Sequence, residues 1–139
     1  MLFRSAHGST IGIQTNGLEL ARSIATVSQQ APIAGFIAHS FGANSTTLAL
    51  SEGMQARKAI YLGAACSLLN ATKVFASRSK LSLEVQTALQ YLFEARFGRD
   101  IWQRLAIDRN ASNLSIPALL FHDLKDREVS VEEDRKSVV

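Results

Sequence analysis

Three short apolar runs break a chain whose other hydrophobic positions are spaced as in helices. They are Pro32-Ile33-Ala34-Gly35-Phe36-Ile37-Ala38, Lys58-Ala59-Ile60-Tyr61-Leu62-Gly63-Ala64 and Ile116-Pro117-Ala118-Leu119-Leu120-Phe121-His122. Runs of this length without polar alternation, bounded by turn residues, have the pattern of strands covered on both faces. Pro117 stands at the start of the third run, where a missing donor is tolerated. Asn16-Gly17 opens a helical stretch with Leu18, Leu20, Ala21, Ile24, Ala25 and Val27 on one side, while Glu19, Arg22 and Gln29 face out. Ala31-Pro32 breaks it. Gly42 to Ser51 predicts a second helix with Ala43, Thr47, Leu48 and Leu50 inward, stopped by Gly53. A strand, a helix and a strand joined by short turns predict a right-handed parallel crossover, and hence the α/β class.

Residues 66–115 carry no strand signal. Within them Ser82 predicts the cap of a helix with Val85, Ala88, Leu89, Leu92 and Phe93 as its apolar stripe, ended by Gly98. Asp100 predicts the cap of a short helix holding Ile101, Trp102 and Leu105. A helical stretch of this length between two parallel strands suggests a cap over the strand ends. Ordinary crossover helices would account for the stripe equally well. After the third strand, Asp123-Leu124-Lys125-Asp126-Arg127-Glu128-Val129 is a charged loop, and Ser130 is placed to cap a last helix that begins at Val131.

The chemistry centres on Ala38-His39-Ser40-Phe41-Gly42. A serine between a buried strand and an opening helix fits a nucleophile elbow, whose tight turn demands small neighbours two residues away on either side. Ala38 and Gly42 are both small. Ala21-Arg22-Ser23-Ile24-Ala25 and Ala49-Leu50-Ser51-Glu52-Gly53 match the same spacing, but the first lies inside a helix and the second at a helix end. A serine hydroxyl needs a base, normally histidine, oriented by a carboxylate. In a parallel sheet that carboxylate must come from a loop at the carboxyl edge of the strands. Asp123 and Asp126 both qualify.

The remaining composition narrows the field. The 139 residues suit one modest domain, 47% of them hydrophobic, with a formal charge of +3 from scattered Lys and Arg. No basic run is interleaved with aromatics, so nucleic acid is not an expected partner. No apolar run reaches the length of a membrane span, and no signal-peptide pattern opens the chain. Cys66 is the single cysteine, which leaves no intrachain disulfide or cysteine metal cluster and fits a reducing, cytoplasmic setting. Four Asn-x-Ser/Thr sequons begin at Asn44, Asn70, Asn110 and Asn113, and without a secretory signal they read as chance. Phosphate-binding glycine patterns are missing from the elbow, which argues against a nucleotide-binding doubly wound protein.

Three segments together resemble the α/β-hydrolase superfamily, specifically its serine hydrolases with a helical cap. Ala38-His39-Ser40-Phe41-Gly42 is similar to the family's H-S-x-G elbow. Ala6-His7-Gly8-Ser9 is similar to the loop after its fourth strand. Pro117 to Val129 is similar to its seventh strand and acid loop, where the pattern G-x-x-D-x-x-V falls on Asp126, with Asp123 in the glycine's slot. The resemblance implies a partial α/β-hydrolase fold over 1–139, with 66–115 as the cap insertion. It implies Ser40 as nucleophile, Asp126 as the acid, the Phe41 N–H as one oxyanion donor, a small acyl substrate, and neither metal nor organic cofactor. The family places its histidine after an eighth strand, and here thirteen residues follow Asp126, none of them histidine. The family's first three strands and most of its fourth are also unmatched. His39 is expected to pack beside its strand, His122 to be structural, and His7 to have no catalytic part. The chain therefore reads as an internal piece of a hydrolase acting on a carboxylic ester, or less favourably an amide or thioester, inactive by itself. The alternative is a non-catalytic α/β-hydrolase-like binding protein.

Overall fold

A computed structural model describes residues 14–131. In chain order these form α1 (Gly17–Ser28), β1 (Phe36–His39), α2 (Phe41–Ser51), β2 (Ala59–Leu62), α3 (Leu68–Arg78), α4 (Leu83–Phe97), α5 (Ile101–Arg104), α6 (Ile107–Ala111) and β3 (Ala118–Phe121). The three strands make one parallel sheet in the order β1-β2-β3, with Phe36, Ala59 and Ala118 in register. The architecture is mixed α/β, as the three apolar runs predicted. The strands are shorter than those runs. β1 joins the ladder only where the Phe36 N–H donates to Lys58 O at 3.1 Å. Pro32 has no N–H to offer. Gly35 lies so close to Lys58 that a Cβ there would stand 2.9 Å from its carbonyl oxygen.

α1 starts where Asn16 caps it, its side chain accepting from the Leu18 and Glu19 N–H groups at 3.1 and 3.0 Å. Its Leu18 and Ala21 pack on Leu48, Leu50, Met54, Ile101, Trp102 and Leu105, the larger of two core clusters. α2 departs from its predicted one-sided pattern. All positions from Ala43 to Leu50 are buried, because α1, α6 and the sheet enclose the helix. Ser45 and Thr47 bond back into the helix, Ser45 Oγ donating to Phe41 O at 3.3 Å, while Asn44 reaches out of it. Thr47 Oγ1 donates to Ala43 O at 2.8 Å and shares a 2.9 Å hydrogen bond with the Tyr61 hydroxyl. The helix ends at Glu52, and Gly53 continues at φ 105°, its N–H donating to Leu50 O and that of Met54 to Ala49 O.

α2 and α6 cover one face of the sheet, where Ala38, Ala59 and Tyr61 meet Ala43, Ala64 and Ile107. The alternate positions Ile37, Ile60 and Leu119, which are in register, lie on the other face. That face is open among the described residues: Ile37 is 74% exposed, Leu119 54% and Phe121 53%. The expectation of strands buried on both sides is thus met on one side only.

The helical stretch between β2 and β3 contains α3 and α6 besides the two helices expected. Ser67 caps α3 by accepting the Asn70 N–H at 3.3 Å. Ser82 caps α4 as predicted, accepting from Val85 N–H at 3.4 Å, and Gly98 ends it at φ 94°. The predicted apolar stripe of α4 is not buried: Val85 and Leu92 are exposed, and only Leu89 and Phe93 among the large residues are half-covered. Phe93 stacks on Trp102 with centroids 5.6 Å apart, and the indole N–H donates to Glu94 at 2.9 Å. Asp100 stands before α5 without a side-chain capping bond. The neck of this stretch is closed tightly. Asn44 Nδ2 donates to Ala65 O and Leu105 O, both at 2.8 Å, and the Ile107 N–H donates to Cys66 O at 2.9 Å. No described helix is long and apolar enough to cross a membrane. His7 and the loop around it, and all of the final helix beyond Val131, lie outside the described residues.

Candidate functional site

Ser40 is the residue between β1 and α2, and it is bent. Its φ of 51° and ψ of −127° are values a side chain rarely tolerates, a strain on the order of 1–3 kcal/mol that the surroundings must hold in place. They do so on both sides. The Ser40 N–H donates to Leu62 O at 2.9 Å, extending the ladder by one residue, and its carbonyl accepts the Ala43 N–H at 2.9 Å, starting the helix. The hydroxyl caps no helix amide. Among the described residues Oγ is left uncommitted and half-exposed. The next N–H, that of Phe41, opens α2 where no carbonyl lies one turn behind it, so it is free to donate outward. The fixed partial charge of the helix end adds to it.

Asp126 arrives from the loop after β3. Its Oδ1 accepts the Glu128 and Val129 N–H groups at 2.7 and 3.0 Å, and these two bonds hold its carboxyl below the usual range. Its Oδ2 lies against the end of β2, where a Cβ added to Gly63 would sit 3.5 Å away in ordinary contact. Gly63 itself adopts φ 53° and donates its N–H to Phe121 O. Ser40 is bound to Leu62 and Asp126 rests on Gly63, so consecutive residues of one strand end separate the two. Asp123 is placed differently. It is exposed, and its Oδ1 is occupied by the Lys125 N–H at 2.9 Å in the turn. Arg127 and Glu128 are exposed as expected, although Glu128 also pairs with Arg78 at the end of α3 at 3.0 Å.

Neither described histidine bonds Ser40. His39 is exposed at the end of β1, on the open side of the sheet and not packed beside the strand. His122 is almost wholly buried, with Nε2 2.7 Å from Val129 O and 3.8 Å from Asp126 Oδ2. It fastens the acid loop to itself. No histidine bonds Ser40 among the described residues, and no cluster of potential metal ligands occurs among them.

A cavity of about 160 Å³ lies beside the elbow, between the start of α1, Phe41, α3 and α4. It is not legible in the sequence, because its walls come from five separate helices, α1 to α5. Asn44 was also missed. A single asparagine inside an otherwise small-residue helix gives no sign that it closes the neck of a distant insertion. No protein-family model matches the sequence, and no curated protein matches it significantly.

Proposed function

We propose that Ser40 and Asp126 are two members of a serine-hydrolase triad, of the α/β-hydrolase type that the elbow and acid loop resemble, acting on a carboxylic ester. The observation that carries the reading is the strained, positive-φ Ser40 with an uncommitted hydroxyl at the opening of α2. Ordinary strand-to-helix turns have no use for such strain in a residue other than glycine.

In this mechanism Ser40 Oγ attacks the acyl carbon while a histidine takes its proton. The Phe41 N–H donates to the oxyanion, a contact whose loss typically costs ~3 kcal/mol of barrier. The proton passes to the leaving alkoxide, and water then releases the acyl group from Ser40. Asp126 orients the histidine and balances its charge. β2 separates the strands that lead to Ser40 and Asp126, a lateral offset of about 9–10 Å. An imidazole hydrogen-bonded at both ends, at about 2.6–3.2 Å each, spans most of that gap. No described histidine supplies the base, and in the family that the elbow and acid loop resemble it follows the acid by about one βα unit.

The test is labelling with a fluorophosphonate of the protein made from its complete gene. Label on Ser40, lost in Ser40→Ala, is the expected result. Label that persists in Ser40→Ala, or lands on Ser23 or Ser51, refutes it. An unlabelled, folded protein would favour a binding protein without catalysis.

A further inference from the structure

The cavity beside the elbow is mostly apolar, with Thr15, Asn16 and Thr72 as its polar lining, Asn16 Oδ1 being occupied by the Leu18 and Glu19 N–H groups. Leu18, Phe41, Leu68, Phe93, Phe97 and Leu105 supply most of its lining. Phe41 ties it to Ser40: its N–H is the one aimed at the reacting carbonyl in the reading above, and its ring forms part of the wall. Gly17 keeps the cavity open. A Cβ there would stand 2.8 and 2.9 Å from the Leu105 methyls and 3.1 Å from the Phe41 ring, all groups that border the space. Of the two hydroxyls in the lining, Thr72 Oγ1 already donates to Leu68 O at 2.9 Å. Thr15 Oγ1 is buried with no partner among the described residues. An orphaned hydroxyl in an apolar wall costs free energy until something bonds to it.

We infer that this cavity is a binding pocket for a small apolar group of about six heavy atoms carrying one hydrogen-bonding atom, such as a phenyl or short branched alkyl unit. The size follows from a measured precedent: an apolar cavity of about 150 Å³ holds benzene. A fatty acyl chain does not fit in the smaller cavity by itself. A wider cavity of about 560 Å³ shares Thr15, Asn16, Phe93 and Phe97 with it and gives a way in. The identification of the occupant as the substrate's acyl group rests on the serine-hydrolase reading. The pocket's ligand class does not.

Benzene and phenol, titrated into the full 139-residue chain and followed by NMR, test it directly. Both are expected to bind saturably, phenol about two- to tenfold tighter through the Thr15 hydroxyl. Thr15→Val should remove that preference and leave benzene binding as it was. Gly17→Ala, which drives Leu105 into the space, and Thr72→Phe, which fills it, should each weaken both ligands about tenfold. Ser40→Ala should bind both ligands normally. Absence of saturable binding to the folded chain, equal affinities for phenol in wild type and Thr15→Val, or a folded Thr72→Phe that still binds benzene would overturn the inference. These readouts do not involve Ser40 chemistry. A protein that labels at Ser40 but binds neither ligand loses only the pocket, and one that binds both but never labels loses only the hydrolase.

Discussion

Replacing Ser40 by glycine should stabilise the protein, and replacing it by alanine should not. At φ 51° and ψ −127° a Cβ is crowded by its own peptide groups, a cost on the order of 1–3 kcal/mol that alanine keeps and glycine removes. Glycine loses roughly 0.5–1 kcal/mol in return through the greater freedom of its unfolded chain. The hydroxyl contributes little to either comparison, since it caps nothing and is half-exposed. The expected difference, Ser40→Gly over Ser40→Ala, is therefore about 1 kcal/mol in favour of glycine. A chain of this size unfolds with an entropy of about 0.3 kcal/mol per kelvin, so that difference is worth ~3 °C in Tm. Urea melts of the three proteins, checked by thermal scans, read it directly. A Ser40→Gly protein no more stable than Ser40→Ala would mean that the elbow is relaxed in solution, and the reason for singling out Ser40 would go with it.

Other consequences concern the groups that hold the site. Asp126 has a folded pKa depressed by its two backbone donors, so its contribution is present above the ordinary carboxylate pKa of 3.8 and is lost as pH falls through the lower folded value. Asp126→Asn should accordingly flatten the acid limb of the stability curve below about pH 4, whereas Asp123→Asn, at an exposed turn, should leave it nearly unchanged. If the site is catalytic, the same Asp126 change in the complete protein should lower kcat by orders of magnitude, about 10⁴-fold in the best-studied triad, and the Asp123 change far less. Thr47→Val should destabilise by about 1–3 kcal/mol in denaturant melts, because it strands the Tyr61 hydroxyl in the core. Asn44→Ala should cost about 2–4 kcal/mol by leaving the Ala65 and Leu105 carbonyls without their shared donor, and limited proteolysis should then cut within 67–104 first.

The sequence made some of this plain and hid the rest for identifiable reasons. The three apolar runs pointed to the parallel strands because few side chains other than Val, Ile, Leu, Ala and aromatics suit a packed sheet. Their lengths were overstated, since periodicity cannot show that the ladder begins only at Phe36, whose N–H donates to Lys58 O, with Gly35 pressed against Lys58 just before it. α3 had its signal in Ser67 followed by Leu68, Leu69, Ala71, Thr72 and Ala76, and it was lost in a region with few charges to mark a face. The α4 stripe misled in the opposite direction. Helical spacing of Val85, Leu89 and Leu92 says that a face is apolar, not that anything described here covers it.

At the site, spacing alone favoured neither Asp123 nor Asp126, and the distinction comes from backbone geometry. Asp123 spends its carboxylate on the turn it begins, with Lys125 N–H as partner. Asp126 also gives only Oδ1 to its loop, but to two N–H groups, and it is half-buried with Oδ2 toward Gly63, next to Leu62 whose carbonyl binds Ser40. That difference is decided by which way a few peptide N–H groups point, information a residue list does not contain. The same loop explains His122. Held at 2.7 Å from Val129 O, its Nε2 braces the turn that presents Asp126, so the histidine nearest the acid works on the loop's shape. In the proposed triad a base for Ser40 would have to reach both its hydroxyl and Asp126 at the carboxyl ends of the strands. In the proposed reading an imidazole would have to bond both groups, because a serine hydroxyl without a base beside it is an unactivated alcohol.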